Sequence, residues 1–143
     1  MHWHVIDLSK HLDDIPEREF LLDQLIALYR QEGWWKEPAD SRQSLLSLIQ
    51  NSHVFAAVLT EDGQVLGMGR AISDRTSDAY IQDVAVRKDS RNRGIGKAVV
   101  TFLVEELRRS GMTWIGLISQ NHSYPFYRKL GFNPMKAVAM TLP

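Results

Sequence analysis

The sequence predicts an α+β fold: a mixed, largely antiparallel sheet with helices on both faces, carrying one β-α-β crossover. Three observations lead to it. Residues 53–60, 65–72 and 79–86 are strand-like apolar runs, separated by an Asp-Gly hairpin signal at Asp62-Gly63 and a polar turn over 73–78, which is the pattern of an antiparallel meander. Two amphipathic helical patterns precede them. After them come a glycine turn, a helix of 3.6-residue period and a strand over 112–119, an order that makes a right-handed crossover with parallel neighbours.

Taken in order, His2 to Leu8 alternates weakly as a first strand, with Trp3 and Val5 on one face and His2, His4 and Ile6 on the other. His2 and His4 have no acidic or third histidine partner at metal-ligand spacing, so no metal is expected. Asp14-Ile15-Pro16 predicts a helix start, since Asp can cap and Pro is tolerated in the first turn. That helix runs to about Arg30 with Leu21, Leu22, Leu25, Leu28 and Tyr29 as its apolar stripe, and Gly33 stops it. Trp34 and Trp35 fall in the following loop. Asp40 or Ser41 caps a second helix that turns Leu45, Leu46, Leu48 and Ile49 inward. The crossover helix aligns Ile95, Val99, Phe102, Leu103 and Leu107, and Gly111 is placed for its C-terminal cap. Pro125 and Gly131 delimit a last short helix, and Met135 to Leu142 is expected to close the sheet.

Length and composition narrow the function classes. A chain of 143 residues predicts a single domain over 1–143 with a proper core. Lys plus Arg and Asp plus Glu both number 17, so no global field draws nucleic acid or a membrane surface. With no cysteine, a thiolate nucleophile and a covalent thioester intermediate are excluded. No apolar run of about 18 residues and no leader pattern is visible, which makes a cytoplasmic protein the expectation.

The chemistry concentrates between Tyr80 and Gly111. Five basic residues, Arg87, Lys88, Arg91, Arg93 and Lys97, surround Gly94 and Gly96 ahead of the crossover helix, with Asp89 as the single acid. The first turn of a helix carries exposed N–H groups and partial positive charge, so cations there are unfavourable unless an anion binds. Glycines let backbone N–H groups approach such an anion. This reads as a phosphate cradle; a solvated basic turn is the alternative. A Walker loop requires Ser or Thr where Ala98 stands, and a dinucleotide fingerprint requires Gly or Ala at Val99.

Arg91-x-x-Gly94-x-Gly96 after the strand Val84-Ala85-Val86 resembles the acetyl-coenzyme A signature of the Gcn5-related N-acetyltransferase (GNAT) superfamily. A second motif agrees with it. Asn121, followed by Tyr127 and then Gly131-Phe132, is similar to the Asn and the Tyr-x-x-x-Gly-Phe that follow the fifth strand in that superfamily. The resemblance covers about Val54 to Phe132.

The resemblance implies a GNAT-like sheet and an N-acetyltransferase that moves an acetyl group directly from acetyl-CoA to a primary amine. It places the pyrophosphate on Arg91, Asn92, Arg93, Gly94, Ile95, Gly96 and Lys97, and pairs the pantetheine arm with the backbone of Val84, Ala85 and Val86 like an added strand. Tyr127 is the candidate acid for the leaving thiolate, and Asn121 would hold the cofactor or a water. Asp83 is the first choice of base, with a structural salt bridge as its equal alternative and His122 and Asp74 as outsiders; a Glu used by some relatives is replaced here by Tyr80. Trp34 and Trp35 read either as rings docked onto the domain or as an acceptor wall; in that family the loop holding them covers the acceptor site, which favours a small amine with an apolar or aromatic body, and Glu37 or Asp40 could attract its cationic form. A peptide or protein amino group is the other acceptor class. A non-catalytic acyl-CoA-binding module would keep the cradle but dispense with Tyr127. Relatives often pair through edge strands, so Met135 to Leu142 could also support a homodimer.

Overall fold

The computed structural model describes residues 2–143. Among them the sheet has five strands in sequential order: β1 (Trp3–Asp7), β2 (Val54–Thr60), β3 (Val65–Ser73), β4 (Asp78–Val86) and β5 (Trp114–Leu117). The first four are antiparallel, and β5 runs parallel to β4. The helices are α1 (Leu8–His11), α2 (Arg18–Gln31), α3 (Arg42–Asn51), α4 (Ile95–Arg109) and α5 (Tyr124–Lys129). The architecture is the expected α+β sheet with helices on both faces.

Strand alternation divides the interior in two. On one face Phe55, Ala57, Leu59, Val65 and Met68 meet Leu21, Leu22 and Leu25 of α2 and Leu45 and Ile49 of α3. On the other, Val54, Ala56, Val58, Ala79 and Ile81 meet Ile95, Val99, Val100, Leu103 and Leu107 of α4. Val100 joins that buried set, whereas Phe102 is half-buried. Every residue of β2 is buried, as expected of a central strand covered on both sides.

Three boundaries differ from the sequence reading. The first long helix begins at Arg18, after a short α1 capped by Asp7 and a 3₁₀ turn over Leu12–Asp14. Ile15, preceding Pro16, is held extended at φ −85° and ψ 118°, so Asp14 cannot feed a helix directly. Of the two expected caps of α3, Ser41 is the one used, through a capping box with Ser44, so this boundary agrees. The segment 135–142 forms no strand: Met135, Val138, Met140 and Leu142 are all exposed. Its alternating pattern confers β propensity, but the one free edge on that side, β5, is four residues long, and a strand needs a paired edge. β5 itself is shorter than the expected 112–119: it starts at Trp114, opposite Asp78 at the start of β4, and its pairing ends at Ile81–Leu117.

Close packing of α4 on the sheet depends on Gly67 and Gly69 in β3. A Cβ at Gly69 would lie 2.6 Å from Val99 Cγ1 and 3.2 Å from Leu103 Cδ1. Gly69→Val is therefore expected to destabilise the fold by about 1–3 kcal/mol through overpacking. A lowered urea midpoint with unchanged m-value checks this; an unchanged midpoint would mean that α4 is free to shift.

Candidate active site

The site is built around a bulge in β4. Met68 pairs with Ala85 and Arg70 with Gln82, so Gly69 alone opposes Asp83 and Val84. Asp83 takes φ +57°, the left-handed region that Asp tolerates better than most residues. The extra residue changes the parity of the strand. Ala79 and Ile81 face α4, and so do Val84 and Val86, while Asp83 and Ala85 turn to the α2 side. Without the bulge, alternation from Ile81 would drive the Asp83 carboxylate into the apolar packing under α4.

Asp83 has two partners instead. Its Oδ2 accepts from Tyr29 Oη at 2.8 Å and from Arg70 Nε at 2.6 Å, and both members of the Arg70–Asp83 ion pair are largely shielded from solvent. Burial first, and then the Asp83 charge, push the Tyr29 phenol far above its ordinary pKa, so it remains a donor. The interaction fixes the carboxylate from three elements at once: α2, β3 and β4.

Beyond the Ile81–Leu117 pair, β4 and β5 have no further register, and a cavity of about 470 Å³ opens between them. Asp83, Val84, Asn121, Tyr127 and Trp34 all line it. The sequence reading thus named five of its walls. Tyr127 is half-buried, edge-on to Phe126 and Phe132 at centroid distances of 4.9 and 5.9 Å, and burial raises its phenol above the ordinary range, so it holds its proton. Asn121 sits at φ +52° in the loop after β5.

The basic turn ends at Gly94, which has φ +79° and leads into α4 with no side chain capping the first turn. Arg91, Asn92, Arg93, Gly94 and Lys97 are exposed there. Uncapped N–H groups, nearby cations and a glycine in the left-handed region suit an anionic ligand. Two details differ from the expectation. The Ile95 side chain is buried under β3, leaving only its backbone to the turn. At Gly96 a Cβ would meet the Phe126 ring at 3.3 Å, so this glycine also serves the approach of α5 to α4. Arg87 is committed to Asp89 at 2.6 Å.

Several candidates fall outside the cavity. Trp35 lies in a separate shallow cleft with Glu37 and Asp40, with the Arg30 guanidinium 6.0 Å from its ring centre. Both tryptophans pack against the Tyr29 ring, at centroid distances of 6.2 Å for Trp34 and 6.3 Å for Trp35, but only Trp34 lines the cavity. Asp74 accepts from the N–H groups of Thr76, Ser77 and Asp78, which lower its pKa to about 2; it anchors a turn. His122 is exposed and does not line the cavity. Among the described residues no group of three His, Cys, Asp or Glu could hold a metal ion.

Sequence reasoning missed Tyr29, Glu32 and Arg70. Tyr29 looked like one more member of the α2 stripe. Arg70 gave a usable signal, a lone charge inside an apolar strand, which must find a partner. Glu32, at the end of α2, lines the cavity and lies 3.5 Å from Arg91.

A sheet that opens beside a glycine turn, with a phenol and a carboxylate in the opening, is an arrangement suited to acyl transfer. A family model for the acetyltransferase (GNAT) family matches residues 12–132. The uncharacterized N-acetyltransferase ycf52 of Pyropia yezoensis is 30% identical over 138 residues, covering 90% of this chain and 78% of that protein. Histone acetyltransferase TAP1 of Glycine max is 30% identical over 118 residues, 76% of this chain but 50% of that protein. Among solved structures, a probable acetyltransferase from meticillin-resistant Staphylococcus aureus superposes with TM-score 0.77 at 20% identity, over 99% of both chains. The chain belongs to the GNAT family of acetyltransferases, whose co-substrate is acetyl-CoA. No helix among the described residues is long and apolar enough to cross a membrane.

Tyr29→Phe removes one of the two bonds to the Asp83 carboxylate and is expected to lower stability by about 1.5–3 kcal/mol, the range for a hydrogen bond to a charged group. Urea denaturation measures it. No change would mean that Arg70 alone suffices.

Proposed function

We propose that this chain moves the acetyl group of acetyl-CoA directly to the primary amine of a small molecule. The observation that carries the reading is the opening of β4 from β5 at the Asp83 bulge, which puts an unpaired strand edge, a carboxylate and a protonated phenol around one cavity. Arg87 N–H bonds Leu66 O on the β3 side, so Val86, and Val84 two residues earlier, present their backbone groups to the opposite, open edge. The pantetheine arm lies along that edge as an added strand, with Ala85 spacing the two valines. Its pyrophosphate rests on Arg91, Asn92, Arg93, Gly94, Gly96 and Lys97 and the Ile95 N–H, with Asn121 on the far wall of the opening.

The thioester carbonyl meets a backbone N–H at the bulge, which stabilises the oxyanion as the amine attacks. The new N–C bond forms, the C–S bond breaks, Tyr127 donates its proton to the departing sulfur, and the extra proton on the newly acylated nitrogen restores the Tyr127 phenol. An ammonium of pKa near 10.4 must first lose a proton. We assign that step to Asp83 through Oδ1, since Arg70 and Tyr29 both engage Oδ2. Trp34 and Tyr80 supply the apolar wall against which the body of the amine packs, and the cavity volume suits a small acceptor.

Tyr127→Phe is expected to lower kcat by about 10²-fold or more, with little change in acetyl-CoA affinity. Asp83→Asn, which tolerates the same backbone, is expected to lower kcat as well and, because it removes the charge paired with Arg70, to lower stability too. Steady-state kinetics on an amine panel, paired with binding of acetyl-CoA, checks both. Parent-like turnover in the Phe variant would reduce Tyr127 to a packing residue.

A further inference from the structure

The end of α2 does something that the proposed reaction leaves unexplained. Gln31 donates from Nε2 to Val86 O at 3.0 Å and accepts at Oε1 from Lys88 N–H at 3.2 Å. One carboxamide thereby bridges the carbonyl of one strand residue and the N–H of the residue two further on. A residue of a parallel neighbouring strand makes the same pair of bonds. The side chain therefore stands where an added strand would stand, at the end of β4 and beyond the reach of β5.

Its position is reinforced. Gln31 Nε2 also donates to Glu32 Oε2 at 2.9 Å, and that carboxylate lies 3.5 Å from Arg91 of the basic turn. The donor and acceptor atoms of the carboxamide are thus engaged, and the adjoining carboxylate supplies an anion to one of the cations that the proposed reading gives to pyrophosphate. Gln24, two turns earlier on α2, makes the same kind of bridge to Gly63 O at 2.9 Å and Val65 N at 2.7 Å, but at the β2–β3 hairpin, away from the opening. The two glutamines share a geometry and differ in what lies beside them.

We propose that Gln31 is a placeholder for the donor: its carboxamide covers the end of β4, bridging Val86 and Lys88 in the 3₁₀ turn just beyond it, and is displaced when the pantetheine arm pairs with β4. This deepens the reading that the arm lies on β4 and rests on it. The consequence is a set-point on affinity. Val86 O is already satisfied by the protein itself, so at that point the arm gains only the difference between its own bond and the one it replaces. A ligand that carries the phosphates but lacks the arm leaves Gln31 in place.

The test measures dissociation constants for acetyl-CoA and for adenosine 3′-phosphate 5′-diphosphate, which lacks the arm, in the parent, Gln31→Ala and Gln24→Ala. Gln31→Ala is expected to bind acetyl-CoA about three- to tenfold more tightly, the span of one ordinary hydrogen bond, with the arm-less nucleotide changed less than about twofold. Gln24→Ala is expected to leave both constants unchanged while losing stability, as a pin remote from the opening should. Gln31→Ser, too short to make the bridge, provides a second replacement if the alanine variant folds poorly. If the parent binds acetyl-CoA and the Gln31 variants bind it equally or more weakly, the side chain is a structural pin like Gln24 and the placeholder is wrong. Tightening of both ligands alike also overturns it, because the effect would not lie in the arm. A folded parent that does not bind acetyl-CoA removes the donor reading itself, a failure distinguishable from the other two.

Discussion

The ion pair between Arg70 and Asp83 is the constraint on which the site depends. It holds a left-handed residue in the middle of a strand, and that one residue changes which side chains of β4 face which helix. A bulge of this kind would be a defect if its carboxylate were unpaired in a poorly solvated setting. Arg70 reaches it from the neighbouring strand and Tyr29 from the helix across the face, so the kink is held from outside the strand. The pairing of β5 with β4 ends short of the bulge, at Ile81–Leu117, and the cavity opens there.

Helix α2 ties these features together. Its buried stripe of Leu21, Leu22, Leu25 and Leu28 packs on the sheet, and its polar side chains reach down to strand ends. Tyr29 touches Asp83, Glu32 lines the cavity, and the chain leaves the helix at Gly33 so that Trp34 becomes a wall of the same opening. One turn of helix thereby combines core packing with the surroundings of the site. The opposite helix, α4, carries the glycine turn instead. Seated on Gly67 and Gly69, it aims its uncapped first turn at the basic loop.

Much of this was legible in the sequence, for identifiable reasons. The meander, the crossover and the two motif segments follow from alternation, from the Asp-Gly signal and from glycines at special backbone positions, all of which are local. Tyr127, Asn121, Val84 and Trp34 were placed in the cavity by motif and loop position. The bulge was not legible, because it depends on Arg70 and Tyr29, which lie 13 and 54 residues from Asp83. Of the two readings of the Trp pair, Trp35 follows the docked one and Trp34 is also a cavity wall, a split that sequence could not show because a Trp-Trp pair shows bulk without direction. The helix start at Asp14 failed because Pro16 acts on the residue before it as well as on its own position. The tail over 135–142 has a strand pattern without an edge to pair with, and pattern alone does not reveal whether an edge is present.

The most direct test of the donor site is a calorimetric titration of the folded protein with acetyl-CoA, repeated with dephospho-coenzyme A and with ATP. The expected result is one site per chain, with acetyl-CoA bound more tightly than either of the others, since it alone combines the full set of phosphates with the arm on β4. Absence of acetyl-CoA binding by protein shown to be folded would contradict the assignment of the glycine turn and the open strand edge to the donor.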